Sequence, residues 1–137
     1  MLIIFLIYIT VSLAQNLEDA KQIASQEINA YQNAINRHDK VYLNAKLSYT
    51  FKYFGLGENC DKKKFIDSHF PKRPTNQPIS EVVPQVLDAK FNEQNSNLLK
   101  FQVKPKNWRG YTEYNAQKID DKWYFMNATY HTEEYKP

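Results

Sequence analysis

Three histidines and one cysteine are the side chains of this sequence with the readiest chemistry. His38, His69 and His131 lie far apart along the chain, and no two of them have the close spacing of a metal-binding pair. With only three glycines, the chain also lacks a glycine-rich phosphate loop. We therefore expect no metal site and no cofactor. Cys60 cannot form an internal disulfide, so it is either a buried apolar side chain, which we favour, or a thiol paired with another chain.

The dipeptide His38-Asp39 is the one weak candidate for catalysis. A histidine base with an aspartate that orients it is a common catalytic arrangement. However, the two residues stand where a long helical pattern ends, and Asp39 is well suited to cap a short helix over residues 40–46. Because capping is the commoner role at such a junction, we prefer it, and the sequence then shows no catalytic constellation.

A single N-glycosylation sequon, Asn127-Ala128-Thr129, lies within the last apolar stretch, DKWYFMNATYH. In a regular strand, Asn127 would share a face with Trp123 and Phe125. An Asn127 on an internal face would be hidden from a glycan, unless a β-bulge turned it outward or the sugar was added before folding. The sequence leaves glycosylation of Asn127 open.

The opposite face of the same strand carries Tyr124, Met126 and Tyr130. Together these side chains approach the size of an apolar patch that monomers rarely leave exposed. We predict that they lie on the outer face of a sheet and form an interface. The cover would be a second copy of the chain, another extracellular protein or the C-terminal segment TEEYKP. The alternative is partial exposure of amphipathic tyrosines, which surfaces tolerate.

The first 14 residues have the pattern of a signal peptide, and residues 15–137 that of one secreted domain. The apolar run LIIFLIYITVSL is followed by Ala14, with Ser12 two positions earlier, and small residues at these positions suit signal peptidase. A membrane-spanning helix needs about 20 apolar residues, and polar residues follow too soon for that. We expect an extracellular protein without membrane attachment after cleavage. The net charge of +3 is too small to predict nucleic-acid binding.

Two further segments are predicted to be loops. Residues 71–78, PKRPTNQP, contain three prolines and predict an extended loop. The segment KPKNWRGY mixes basic and aromatic residues, which would suit an anionic glycan or an acidic protein. Because the net charge is small, a solvated loop is the simpler interpretation.

Hydrophobic periodicity predicts helices first and strands later. Apolar residues at spacings of three and four predict a helix over residues 17–37. Short helices are expected over residues 40–46 and within CDKKKFIDSHF, with a strand over residues 48–54 between them. Alternation in the second half predicts four antiparallel strands, with a hairpin turn at Asp120-Asp121. This order predicts an α+β fold, in which a long N-terminal helix and two short helices pack in the concave face of a curved, mostly antiparallel sheet.

Four segments carry a resemblance to a known family: the helix that ends in NRHDKVYL, the strand LSYTFKYF, the short helix in CDKKKFIDSHF and the last strand DDKWYFMNATYH. With these segments the chain resembles the nuclear transport factor 2-like superfamily, a cone-shaped fold, and its small secreted members in particular. The resemblance implies a pocket between helices and sheet, and dimers through the outer face of the sheet. For the enzymes of this fold it implies an Asp or His inside the cone as general base.

Two classes of function remain. The first is a non-catalytic binding or interaction module with a small apolar pocket, although the aromatic rings that would line it are also suited simply to fill the core. The rings are Tyr31, Tyr49, Phe51, Phe91, Phe101, Tyr114 and Trp123. The second is an isomerase or dehydratase of the same fold. Residues 47–49, Leu-Ser-Tyr, stand where such enzymes often carry a carboxylate, so we favour the binding module. A cystatin-like protease inhibitor fits less well, because its Gln-x-Val-x-Gly loop and its disulfides are absent.

Overall fold

The computed structural model describes residues 2–55, 57–70, 84–105 and 109–137. The loop predicted at residues 71–78, and residues 106–108 of KPKNWRGY, lie outside these ranges. The described elements are α1 (Leu2–Asn36), α2 (Lys40–Lys46), β1 (Leu47–Gly55), β2 (Glu58–Asp61), α3 (Lys62–Ser68), β3 (Gln85–Phe91), β4 (Leu98–Lys104), β5 (Tyr111–Ile119) and β6 (Lys122–His131).

The strands form one curved, open sheet in the order β2-β1-β6-β5-β4-β3. Every neighbouring pair is antiparallel except β1 and β6, which run parallel. A parallel pair cannot be joined by a tight hairpin, so β1 connects to β6 through the rest of the domain. The predicted α+β class, with helices on a mostly antiparallel sheet, is confirmed.

Helix α1 packs an apolar stripe against the sheet, as predicted from Ala20 to Tyr31 but not at Leu17, which the spacing also placed in the stripe and which is 50% exposed. Ala20, Ala24, Ile28, Tyr31 and Ala34 are all buried, at spacings of three and four residues. The helix begins at Leu2 rather than at residue 17, because no Gly or Pro separates the apolar leader from the amphipathic part. Among the described helices, none combines the length and apolar character needed to cross a membrane.

The local signals of the sequence correspond to the short elements. Helix α2 spans the predicted residues 40–46, and the Asp39 side chain accepts a hydrogen bond from the Tyr42 backbone N–H at 3.0 Å. Asp120 and Asp121 form the hairpin turn with φ of 50° and 63°. Two consecutive left-handed residues match the right-handed twist of the flanking strands, which is why Asp is accepted there.

Strand pairing departs from simple alternation at two places that matter for function. Between Leu47 and Lys52, five steps along β1 match only two along β6. Between the pairs Asn115–Asn127 and Ala116–Phe125, one step along β5 matches two along β6, so the residue between Phe125 and Asn127 is a β-bulge. These irregularities change which side chains point into the cone.

Candidate functional site

A buried tyrosine–histidine pair connects the long helix to the short third helix. The Tyr31 hydroxyl on α1 and His69 Nε2, directly after α3, lie 3.0 Å apart and share a hydrogen bond. Tyr31 is 2% exposed, and His69 is half-buried. Either the phenol donates to Nε2 or a protonated Nε2 donates to the phenol oxygen. The pair places polar atoms inside an otherwise apolar interior.

Aromatic rings frame the histidine. The ring centroids of Phe65, Tyr31 and Phe70 lie 4.8, 5.8 and 6.4 Å from that of His69. Phe65 is also stacked on Tyr53 at 4.9 Å. We call Tyr31, Tyr53, Phe65, His69 and Phe70 the His69 site.

Burial holds the His69 site in its neutral form. It lowers the pKa of His69 to about 4, so the imidazole is uncharged at neutral pH. Burial, with a smaller contribution from Tyr114, raises the pKa of Tyr31 well above its usual range. The site can therefore donate a hydrogen bond to a neutral molecule or accept one from it. None of its side chains is charged at neutral pH.

The position of His69 follows from how α3 begins. Asp61 caps the helix, since its carboxylate accepts a hydrogen bond from the Lys64 backbone N–H at 2.9 Å. That start turns Phe65 and Ile66 into the core. His69, three and four positions later, falls on the same side. Sequence reasoning missed His69 as an interior group, and this spacing was the signal that could have found it.

An ion pair lies at the edge of the same interior. Lys46, at the end of α2, pairs with Glu27 on α1, and both side chains are largely buried. The Lys46 ammonium also lies 5.5 Å from the centre of the Phe125 ring. The ion pair connects the two helices, and the positive charge of Lys46 compensates the negative charge of Glu27. Neither residue was a candidate from the sequence, because the partners are 19 positions apart.

His38 and Asp39 lie at the junction of α1 and α2 rather than within the interior. His38 is exposed and has a left-handed backbone, with φ of 56°. The ring centres of His38 and Phe70 are 5.0 Å apart, so His38 contacts the His69 site through Phe70. Asp39 orients the backbone of α2 as its cap.

Most of the rings predicted to line a pocket are packed against one another. Phe101 stacks on Tyr114 at 5.2 Å, and Phe125 contacts Tyr31, Phe101 and Tyr114 at 5.3–5.9 Å. Trp123 is buried beside a half-buried Phe91, with ring centres 6.3 Å apart. Phe51 is buried against Phe65. This set therefore forms a continuous aromatic core.

Tyr49 is the exception, and the prediction that it faces inward is wrong. Its side chain is 96% exposed. The reason is the irregular pairing of β1: three of its residues have no counterpart on β6, so the chain leaves the regular alternation between two buried positions, Leu47 and Phe51. Tyr49 instead lines an outer groove of about 690 Å³ beside Lys62 and Lys63.

The residues predicted as an outer interface separate into two groups. Tyr124 lies on the outer face, between the buried Trp123 and Phe125. Tyr130 was predicted to share that face, but beyond the bulge it shares the side of Ala128, which is buried. Met126 is half-buried at the bulge and lines an outer groove. The three side chains therefore do not form one patch.

The C-terminal segment covers another part of the outer face. The Tyr135 hydroxyl donates a hydrogen bond of 2.8 Å to Asp88 Oδ2 on β3. Its ring meets Tyr111 edge-on at 5.3 Å, and Tyr111 stacks on His131 at 4.7 Å. These contacts lie at the end of β5 and β6 farthest from their hairpin, whereas Tyr124 lies near it.

Cys60 and the potential metal ligands are the remaining candidates from the sequence. Cys60 is half-buried in β2, opposite Tyr53, and packs against the core. In the described parts of the chain, no three His, Cys, Asp or Glu side chains come together in a way that would hold a metal ion.

The long helix, the two short helices and the curved six-stranded sheet define a nuclear transport factor 2-like cone, also known as a cystatin-like fold. A nuclear transport factor 2-like protein of unknown function from Silicibacter pomeroyi is similar, with a TM-score of 0.60 and 14% identity over 82% of this chain and 97% of its own. A second such protein, from Shewanella oneidensis, has a TM-score of 0.57 and 14% identity over 77% and 93% of the two chains. A protein of unknown function with a cystatin-like fold from Nostoc punctiforme has a TM-score of 0.53 and 9% identity over 77% and 84%.

These likenesses show the fold alone, because the identities are low. No protein-family model matches the sequence, and no curated protein is significantly similar to it.

Proposed function

We propose that this protein is a secreted, non-catalytic binding module, and that its His69 site takes a small, largely apolar ligand. The observation that carries the proposal is the neutral Tyr31–His69 pair, held among aromatic rings. Binding sites for small molecules typically combine such an apolar lining with one or two fixed polar groups.

The ionisation of the site favours binding over catalysis. A general base works best when its pKa lies near the operating pH, and a histidine with a pKa of about 4 is a weak base at neutral pH. Tyr31, whose pKa is raised, is a correspondingly weak acid. Within the described residues, the hydrogen-bond partner of the imidazole is this phenol and not a carboxylate that would strengthen it as a base. The carboxylate of Glu27, one helical turn before Tyr31 on α1, is paired with Lys46.

The chemistry of the lining indicates the ligand class. None of the five residues of the His69 site is charged at neutral pH, so an ion would lose its hydration there at a cost of several kcal/mol, and the Lys40 ammonium already lies over the Phe70 ring, 5.2 Å from its centre. A neutral molecule with an aromatic or aliphatic body would instead bury apolar area against Phe65 and Phe70. One hydroxyl or carbonyl group on it would suit the hydrogen-bonding capacity of His69.

The packing of α1 supports the secretion part of the proposal. Ile3, Ile4 and Ile7 are 73%, 73% and 59% exposed. The first buried side chain described in the helix is Ala20. Cleavage after Ala14 would therefore remove exposed apolar surface and leave this part of the core intact.

The test uses the protein recovered from the medium of a eukaryotic host. Native mass spectrometry would report cleavage after Ala14 and any ligand that remains bound. Titration with the neutral fluorescent probe 1-naphthol, which has an apolar body and one hydroxyl group, would then measure the site, and we expect His69→Phe to weaken saturable binding at least tenfold. The control His38→Asn changes an exposed histidine and keeps a residue that tolerates positive φ.

Equal binding of the probe to the natural protein and His69→Phe would overturn the binding site. If a bound molecule were chemically converted and the conversion required His69, the protein would be an isomerase or dehydratase, the alternative function, and not a binding module.

A further inference from the structure

The β-bulge in the last strand turns the sequon asparagine outward. Phe125 and Ala128 are both buried, although three positions separate them, because Met126 is the extra residue of the bulge. Asn127 pairs with Asn115, which lies between the buried Tyr114 and Ala116 and so faces out. Asn127 is consequently on the outer face of the sheet and not, as in a regular strand, beside Phe125.

The orientation of the Asn127 amide leaves its nitrogen available. The Asn115 Nδ2 group donates a hydrogen bond of 2.7 Å to Asn127 Oδ1. That bond holds the Asn127 side chain in place through its oxygen. The Nδ2 atom, which is the atom that carries a glycan, takes no part in it.

The surface beside Asn127 has room for a sugar and offers it both polar and apolar groups. A groove of about 560 Å³ opens there; its polar lining includes Lys90, Lys100, Asn115 and Gln117, and its larger apolar part comes from side chains such as Phe91, Leu98 and Met126. Polar residues form one row of paired positions across all six strands: Lys90, Lys100, Asn115, Asn127, Lys52 and Asp61. Long amines and amides of this kind can donate hydrogen bonds to sugar hydroxyl groups.

We propose that Asn127 carries an N-linked glycan whose first sugars lie in this groove, and that the glycan keeps the outer face of the sheet from self-association. The proposal rests on secretion, which is part of the proposed function. An oligosaccharyltransferase joins Asn127 Nδ2, which loses one proton, to the anomeric carbon of the sugar. The lipid pyrophosphate of the donor leaves. A bulky, hydrated group at the centre of the sheet is incompatible with a second copy packed on that face.

Two substitutions at Thr129 test the modification without touching Asn127. Thr129→Ser keeps the sequon and Thr129→Ala destroys it, while both remove the same β-branched methyl group from a half-buried surface position. Each variant would be secreted from a eukaryotic host and its intact mass measured before and after treatment with peptide N-glycosidase.

We expect the natural protein and Thr129→Ser to carry a glycan that the glycosidase removes, and Thr129→Ala to have the mass of the bare chain. Sedimentation velocity at micromolar concentration should show the glycosylated protein as a monomer. A dimer of the fully glycosylated protein would overturn the claim for the outer face.

Failure of this proposal is distinguishable from failure of the proposed function. Natural protein found in the medium, cleaved after Ala14 but without a glycan, overturns the modification alone. Natural protein that stays in the cell with its leader overturns secretion and the modification together.

Discussion

Tyr31 and His69 share a hydrogen bond although 38 positions of sequence separate them. Each alone would be a costly polar group in an aromatic interior, because a buried group without a partner loses its hydrogen bonds to water. Paired, they fix the end of α3 against the C-terminal part of α1. The same contact therefore contributes to the fold and supplies the polar feature of the candidate site.

The low pKa of His69 makes stability depend on pH. In the unfolded chain the imidazole has its usual pKa of 6.5, and in the folded protein it is about 4. The unfolded state therefore binds the proton first as the pH falls. The contribution is fully present above pH 6.5 and is lost between pH 6.5 and 4, by at most about 3 kcal/mol in the free energy of unfolding.

Urea unfolding between pH 7.5 and 4.5 would measure this dependence. We expect His69→Gln to flatten the curve above pH 5, where most carboxylates stay ionised. An NMR titration of the natural protein that placed the pKa of His69 near 6.5 would contradict the burial argument directly.

Removing the Tyr31 hydroxyl should destabilise the fold without opening a cavity. Tyr31→Phe keeps the ring contact with Phe125 but leaves His69 Nε2 without its partner, at a cost of about 1–2 kcal/mol. Tyr124→Phe is the matched control, because it removes a hydroxyl from the outer face and should change the free energy of unfolding by less than about 0.5 kcal/mol. Equal effects in the two variants would show that the pair contributes nothing specific.

Asp39 should be replaceable only by residues that can cap a helix. Asp39→Ala removes the acceptor of the Tyr42 backbone N–H and should cost about 1 kcal/mol of stability, whereas Asp39→Asn should retain most of it. Thermal or urea unfolding of the two variants measures the difference. If Asp39→Asn lost as much stability as Asp39→Ala, the charge of Asp39 would matter rather than its capping hydrogen bond. Asp39 would then again be a candidate functional group.

Local signals account for what could be predicted of the fold. Asp39 at the start of α2 and Asp120-Asp121 between two alternating strands each act within a few residues, so the sequence alone locates these elements. The long stripe of α1 is predictable for the same reason, since its spacing repeats over four turns.

Features that arise from pairing between distant segments could not be predicted in this way. The bulge at Met126 exists because β5 and β6 pair in two registers, and nothing within KWYFMNATYH marks it. Tyr49 leaves the inner face because β1 must match a shorter stretch of β6. The spacing of His69 from Phe65 and Ile66 places it on the inner side of α3, but its partner Tyr31 is defined only when α3 docks on α1. The candidate site depends on these long-range relationships, which is why sequence reasoning favoured His38 over His69.

The C-terminal segment provides the last test, because Tyr135 joins it to the sheet by a hydrogen bond and a ring contact. Tyr135→Phe keeps the edge-on contact with Tyr111 and removes only the hydroxyl that donates to Asp88. We expect a loss of about 1 kcal/mol, and faster amide hydrogen exchange in residues 132–137, because a hydrogen bond to a carboxylate is stronger than one between neutral groups. Asp88→Asn keeps an acceptor without the charge and should have an intermediate effect. Exchange rates unchanged in Tyr135→Phe would show that the stacked rings of Tyr111 and His131 hold the segment without help from Asp88.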